Sequence, residues 1–225
     1  CNDAWGSVIE LVNPDDVAGV NRTDDVLDGE LLSGESAIIA KSVEKRRREF
    51  VTVCACARAG LRIMGVEPIP ILHYSQGCPI WPSGFVGSMA HCRDFRAAAV
   101  ARSANFEAIG IYAEPHEPLT SSLINAIAMP TEIHLLPSIT KIGIASERLL
   151  YCTKEAVYKP WHPITKHYLD FTDVAINLNP NRTFTASGTN DSDAGLLARM
   201  SGRRAASKGI VLASVFVLAD DHHRP

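Results

Sequence analysis

The sequence lacks any long apolar run. Its 225 residues contain no uninterrupted stretch of about 18 apolar side chains, so we predict no membrane-spanning segment. The first twenty residues also lack a basic start followed by an apolar stretch, so no signal peptide is expected. These two absences favour a cytoplasmic protein without a membrane partner.

Cysteine is also scarce. Six cysteines are too few for a disulfide scaffold in a chain of 225 residues, so we expect reduced thiols. No C-x-x-C pair occurs, and Cys54 and Cys56 stand two apart in a predicted helix, where their side chains diverge. A zinc site built from Cys54, Cys56, Cys78, His91 and Cys92 is therefore disfavoured.

What the sequence does contain is an uneven distribution of charge. The net charge is only −3, but residues 1–40 hold nine acids and one base, which leaves a surplus of five bases in the rest of the chain. That surplus favours an anionic partner for the body of the protein, and the acidic segment is either a solvated cover or an ordinary surface loop. Nucleic acid is not expected, because the basic residues outside one cluster are scattered and the pI is about 6.2.

Hydrophobic periodicity predicts a helix followed by strands in the first part of the chain. Apolar residues of 43–64 recur at spacings of three, four and seven, which indicates a long helix that carries the basic run 45–48. Residues 67–93 are rich in proline and glycine and indicate an ordered loop with short strands. Two strands are predicted next, at 95–102 and 106–113.

The second part of the chain repeats this order. Residues 116–147 show a mixed, mainly helical pattern, and a clear helix over 146–159 is ended by Pro160. Strands are predicted at 171–178, 182–187 and 209–218. We therefore predict an α+β (α/β) fold of two halves, 1–115 and 116–225.

Two carboxylates are candidates for chemistry. Glu114 ends the second predicted strand, and Tyr112 shares its face because side chains two apart on a strand point the same way. Glu155 and Lys159 stand four apart on one face of the predicted helix, with Lys154 adjacent. An ordinary surface glutamate and an ordinary surface ion pair are the alternatives at this point.

The segment 81–91 is a candidate phosphate loop. Gly84, Gly87 and Ser88 permit close backbone approach, and exposed amides there could hold a phosphate. His91, at the end of the segment, could donate to an anion or be a satisfied core histidine.

Taken in order, these segments resemble the 4′-phosphopantetheinyl transferases. The matching motifs are KRRREF (45–50), CAR (56–58), GCPIWPSGFVGSMAHC (77–92), IGIYAEP (109–115), LLYCTKEAVYKPWHPIT (149–165) and LDF (169–171). The resemblance extends over roughly residues 36–218. Within the family it points to the single-chain, surfactin-type branch of actinobacterial polyketide, lipid and siderophore pathways. It implies two similar α+β halves in a monomer, with the active site in the cleft between them.

The resemblance implies an Mg²⁺-dependent enzyme. The family moves the phosphopantetheine arm of coenzyme A to a serine of an acyl or peptidyl carrier protein and releases adenosine 3′,5′-bisphosphate. By resemblance, Glu114 and Glu155 are metal ligands, and Glu155 also helps to deprotonate the serine. Lys154 and Lys159 offset negative charge on the transferring group. The residues implied in binding coenzyme A are Arg46, Ser88, His91, Lys154 and Lys159.

The sequence departs from the family pattern at four positions. Tyr112 replaces an aspartate that is usually a magnesium ligand, and a phenol with a pKa near 10 is neutral at pH 7. Cys54, Ala90 and His73 replace an arginine, a threonine and a lysine. Three functions are therefore open, of which the first is favoured: a working transferase, a relative that binds coenzyme A or a carrier protein without transfer, and a different ligand on the same fold.

Overall fold

The computed structural model describes residues 8–26, 29–74, 77–134, 136–137, 143–189 and 191–220, and it combines helices with two antiparallel sheets. The strands are β1 (Ala18–Arg22), β2 (Phe85–Cys92), β3 (Phe95–Arg102), β4 (Phe106–Pro115), β5 (Val174–Leu178), β6 (Thr183–Gly188), β7 (Met200–Ser207) and β8 (Ile210–Leu218). The helices are α1 (Glu35–Ile38), α2 (Glu44–Ile63), α3 (Ser121–Ile127), α4 (Pro130–Ile133), α5 (Ser146–Thr165) and α6 (Asp191–Ala198), and a 3-10 turn lies at Val8–Leu11. The predicted α+β class is confirmed. Among the described helices, none combines the length and apolarity needed to cross a bilayer.

Helix α2 packs on the first sheet, which has the strand order β1-β3-β2. The helix has one continuous buried face, because its apolar residues recur at helical spacing. That face consists of Phe50, Cys54, Ala57 and Leu61. Strand β3 turns Ala98 and Val100 toward it, since alternate side chains of a strand lie on the same side.

Helix α5 packs on the second sheet, which has the strand order β4-β8-β7-β6-β5. Ala156, Val157 and Trp161 are buried in the core that the helix shares with β4 and β8. Strand β4 precedes the predicted half boundary at residue 115, yet it pairs with β8 near the end of the chain. The boundary itself stays a prediction, and β4 belongs to the sheet of the later strands.

The two sheets pack against each other through small side chains. Ala97, Ala99 and Ala101 of β3 share a buried core with Ile109 and Ile111 of β4. Their short side chains let the sheets approach closely, so the layers follow the order α2, first sheet, second sheet, α5. At one edge, strands β2 and β4 from different sheets therefore lie side by side.

Gly110 sets the distance between β4 and α5. A β-carbon at this position would lie 2.1 Å from the carbonyl oxygen of Ala156 and 2.5 Å from Cδ of Pro160. Pro160 has no amide hydrogen to donate to that carbonyl, the partner that a helix would normally give it. The carbonyl oxygen of Ala156 therefore lies directly against the backbone of Gly110, and a side chain at residue 110 would not fit.

At least four elements differ from the sequence prediction. Residues 85–92 form the full strand β2, because the turn chemistry of the preceding prolines and glycines ends at Gly84. Helix α5 does not end at Pro160 but continues through Pro163 to Thr165, because Trp161 is buried in the core. Helix α6 and strand β7 were not predicted at all.

Candidate functional site

A cleft of about 490 Å³ lies where the edges of β2 and β4 meet, flanked by α2 and α5. Eight of the predicted site residues and departing positions line it: Arg46, His73, Ser88, Ala90, His91, Tyr112, Glu155 and Lys159. Residues that are more than a hundred positions apart in the sequence thus share one cavity.

Ser88 joins the two sheets at the floor of this cleft. It is only 4% exposed, and its hydroxyl oxygen accepts a hydrogen bond of 3.0 Å from the backbone amide of Ile111. Ser88 therefore holds β2 against β4. Its predicted contact with a coenzyme phosphate stays a prediction.

Arg46 and His91 form a basic end of the cleft. The guanidinium of Arg46, on the first turn of α2, donates a hydrogen bond to Nε2 of His91 near the end of β2. Burial and the neighbouring Arg46 charge lower the pKa of His91 to about 4. The ring is therefore neutral near pH 7, and the basic end carries guanidinium donors suited to a phosphate or carboxylate.

Lys159 and Glu155 lie further along the cleft on α5. The ammonium of Lys159 donates a hydrogen bond of 2.5 Å to the carbonyl oxygen of Met89 and lies 5.1 Å from the ring centroid of Tyr112. Burial lowers the pKa of Lys159 to about 8, although the negative charge of Glu155 opposes the shift. Burial and the charge of Glu114 raise the pKa of Glu155, while Lys159 lowers it.

Glu114 lies behind Tyr112 rather than on the cleft wall. The phenol of Tyr112 donates a hydrogen bond of 3.2 Å to one oxygen of Glu114, and Arg148 lies 3.3 Å from the other. Burial raises the pKa of Tyr112, so its hydroxyl keeps its proton and remains a neutral donor. The ring also contacts Tyr151 edge to face, with centroids 5.7 Å apart. Tyr112 is thus wedged between the two glutamates and Lys159.

The residues present fit a magnesium ion held in part by substrate. In the described part of the chain no group of three or more His, Cys, Asp or Glu side chains converges on one point. Magnesium is often held by one or two carboxylates together with phosphate oxygens, and does not require a complete protein cage. Glu155 faces the cleft, and Glu114 is near enough to raise its pKa. The carboxylates offered here are Glu155 on the cleft wall and Glu114 behind Tyr112.

Lys154 does not line the cleft. Its side chain is fully buried away from the cleft, with the ammonium 2.7 Å from Glu132. The same ammonium donates to the carbonyl oxygens of Ile127, at 2.8 Å, and Phe171, at 2.7 Å. All three of its hydrogens are therefore used inside the C-terminal part, and Lys154 has none left for a ligand. The structure does not place Lys154 on the cleft wall, and its role in binding coenzyme A stays a prediction.

Three of the four residues that depart from the family pattern, Tyr112, His73 and Ala90, line the cleft, whereas Cys54 does not. His73 lines the cleft, packs edge to face on Phe50 with centroids 5.4 Å apart, and has no described partner for Nε2. Cys54 is buried on the apolar face of α2, where an arginine would have no water. Ala90 is buried at 4% exposure on β2.

Sequence reasoning missed two charged neighbours of the site. Arg148 holds Glu114, and Glu49 lies 3.8 Å from Arg46. The spacing of both residues in the sequence indicates that they share a helix face with a candidate site residue. Glu49 is three residues after Arg46 on one helix, and Arg148 is seven residues before Glu155 on another. Helical spacing of charged residues around each candidate would have found them.

Comparison with known proteins identifies the family. The family model of the 4′-phosphopantetheinyl transferase N-terminal domain matches residues 34–101. The transferase Npt of Nocardia iowensis is 37% identical over 221 residues, covering 92% of this chain and 99% of its own. This chain is therefore an enzyme of the transferase class. It belongs to the 4′-phosphopantetheinyl transferase family, as the motifs of the sequence predicted.

Two further relatives come from actinobacteria. The 4′-phosphopantetheinyl transferase PptT of Mycobacterium tuberculosis is 43% identical over 152 residues, which are 68% of this chain and 67% of its own. The transferase Svp of Streptomyces mobaraensis is 39% identical over 200 residues, which are 84% of this chain and 79% of its own. A solved holo-[acyl-carrier-protein] synthase of Helicobacter pylori, in complex with coenzyme A, aligns with 49% of this chain and 99% of its own at a TM-score of 0.37 and 17% identity.

Proposed function

We propose that this enzyme moves the 4′-phosphopantetheine arm of coenzyme A to a serine hydroxyl of an acyl or peptidyl carrier protein. The reaction depends on Mg²⁺ and releases adenosine 3′,5′-bisphosphate. The observation that carries the proposal is the shared cleft, in which a guanidinium–imidazole pair lies at one end and a carboxylate–ammonium pair further along. This arrangement suits a ligand with a phosphate monoester at one end and a diphosphate in the middle.

The basic end would receive the 3′-phosphate of coenzyme A. Arg46 offers a planar fork of donors that fits phosphate oxygens, and its side chain is 43% exposed. His91 lies beside it and supplies a second polar group. His73 lines the same cleft, and its Nε2 has no hydrogen-bond partner among the residues that the structure describes.

Glu155 and Lys159 would act at the diphosphate. Glu155 has a raised pKa and receives no hydrogen bond from any residue that the structure describes, so it is placed to accept the proton of the incoming serine. Lys159 lies nearby as an ammonium below pH 8 and offsets charge on the transferring phosphoryl group. When bound at Glu155 and Glu114, Mg²⁺ would neutralise charge on the diphosphate oxygens.

A second function is favoured by one observation, the position of Tyr112. Its neutral phenol fills the place of an anionic ligand and is hydrogen-bonded to Glu114. A protein with a weakened metal site would bind coenzyme A or a carrier protein without transferring the arm.

Mass spectrometry of an apo carrier protein separates the two functions. We expect incubation with coenzyme A, Mg²⁺ and the enzyme to add the mass of one phosphopantetheine to the carrier. If no mass is added at high enzyme and metal concentrations while coenzyme A still binds, the non-catalytic function is correct.

A further inference from the structure

Glu49 lies behind the two residues of the basic end. Its side chain is only 10% exposed, and its Oε2 lies 3.6 Å from Nδ1 of His91 and 3.8 Å from Nη1 of Arg46. Its Oε1 lies 4.0 Å from Nη2 of Arg96 on β3. A carboxylate that is removed from water needs compensating charge, and Arg46 and Arg96 supply it at ion-pair distances, with the His91 ring beside them.

The hydrogen bond from Arg46 fixes the tautomer of His91. A guanidinium has donors only, so Nε2 of His91 must accept and the ring hydrogen must be on Nδ1, which faces Glu49. The charged side chains that face the ring are Arg46 and Glu49 from α2, Arg96 from β3 and Lys159 from α5. Three of these four are cationic, which together with burial explains why the ring is neutral in the free protein.

We propose that Glu49 is a positioning residue that keeps His91 ready to take up a proton when a phosphate monoester binds beside Arg46. The inference rests on the proposed function, in which this end of the cleft receives the 3′-phosphate of coenzyme A. The incoming phosphate dianion accepts the hydrogen bonds of the Arg46 guanidinium. Nε2 of His91 then no longer accepts a hydrogen bond from Arg46. Nε2 then takes a proton from solvent and donates it in a charge-assisted hydrogen bond to a phosphate oxygen.

Glu49 makes this protonation favourable from the other side of the ring. The imidazolium would lie between the phosphate at Nε2 and the carboxylate at Nδ1, so two anions offset the nearby cations. A carboxylate behind a histidine orients the ring and raises the basicity of its outer nitrogen. A ligand with a 3′-hydroxyl in place of the 3′-phosphate adds no negative charge beside Nε2 of His91. His91 therefore takes up no proton when that ligand binds. Glu49 and His91 together therefore favour the binding of coenzyme A over that of 3′-dephospho-coenzyme A.

Isothermal titration calorimetry tests the inference directly. Both nucleotides are titrated into the full chain at pH 7.5, in two buffers of different ionisation enthalpy, so that proton uptake is measured with affinity. At this pH a phosphate monoester is already mostly dianionic, since its second pKa is about 6. Any proton uptake at the diphosphate is common to both ligands and cancels in the comparison.

For the unaltered protein we expect tighter binding and greater proton uptake with coenzyme A than with 3′-dephospho-coenzyme A. In Glu49→Gln the additional uptake should disappear, and the affinity for coenzyme A should fall about tenfold, or about 1.4 kcal/mol. Affinity for 3′-dephospho-coenzyme A should change little. Glu49→Asp keeps the charge and should retain part of the additional uptake. Thermal unfolding of each variant checks that it is folded.

The outcomes distinguish the inference from the function on which it rests. If the unaltered protein binds both nucleotides equally, or neither, the proposed 3′-phosphate site fails. If it prefers coenzyme A and takes up no additional proton, or if Glu49→Gln takes up the same additional proton, the role of Glu49 is overturned and the proposed function stands.

Discussion

Replacing Tyr112 by aspartate should strengthen metal binding at the expense of stability. The phenol ring contacts Lys159 at 5.1 Å and Tyr151 at 5.7 Å. A cation–π contact contributes about 0.5–1 kcal/mol at a partly exposed site, and an edge-to-face pair contributes about 0.5–1.5 kcal/mol. We therefore expect Tyr112→Asp to lower the free energy of unfolding by about 1–3 kcal/mol in the absence of metal.

The same change adds an anionic oxygen beside Glu114 and Glu155. Two unit charges 4 Å apart attract by about 4 kcal/mol at an effective dielectric constant of about 20, and desolvation of the ion offsets part of that gain. We expect the Mg²⁺ concentration for half-maximal transfer to fall at least about tenfold, or about 1.4 kcal/mol. Carrier modification followed by mass spectrometry over a Mg²⁺ series measures it, and calorimetric titration with Mn²⁺ measures metal binding without turnover.

Two matched variants isolate the effect of the charge. Tyr112→Asn has the shape of the aspartate without its charge, and Tyr112→Phe keeps the ring but removes the hydroxyl that donates to Glu114. If the aspartate and asparagine variants show the same metal dependence, Tyr112 does not occupy a ligand position and the reasoning is refuted.

Three other changes test separate parts of the site. Glu155→Gln should lower the transfer rate by about 10²–10⁴-fold and leave the circular dichroism spectrum unchanged, because it removes the general base; a fully active variant would remove Glu155 from the mechanism. Lys154→Met should lower the free energy of unfolding in urea by about 3–5 kcal/mol, because Glu132 is left buried and unpaired, while folded protein keeps its affinity for coenzyme A. Because the pKa of Lys159 is about 8, kcat/KM should fall as pH rises through 8, and Lys159→Gln should abolish that limb of the profile.

The sequence predicted elements well where one periodic pattern dominated. Helix α2 and strand β3 have the predicted positions, because an apolar face and a hairpin turn are both encoded locally. Strand β7 was missed because its buried positions include Gly202 and Arg204, which do not look apolar in sequence. The continuation of α5 past Pro160 depends on burial of Trp161 against other elements, and no local pattern carries that information.

The site shows the same division between local and long-range information. The motifs supplied Arg46, His91, Glu155 and Lys159, but their convergence on one cleft depends on how four elements pack. Lys154 and Glu155 are neighbours in sequence and point in directions about 100° apart on a helix, so only tertiary structure decides which one meets the ligand.

The missing side chain at Gly110 has a practical consequence for anyone who wishes to retarget this enzyme. The spacing between the strand that bears Tyr112 and the helix that bears Glu155 is set at the contact of Gly110 with Ala156 and Pro160, none of which lines the cleft. Mutant libraries can vary the residues that line the cleft in order to alter selectivity. A single methyl group added at residue 110 would instead push helix α5 away from strand β4. Residue 110 is best held constant in such libraries, and variants there would report on the width of the opening and not on its chemistry.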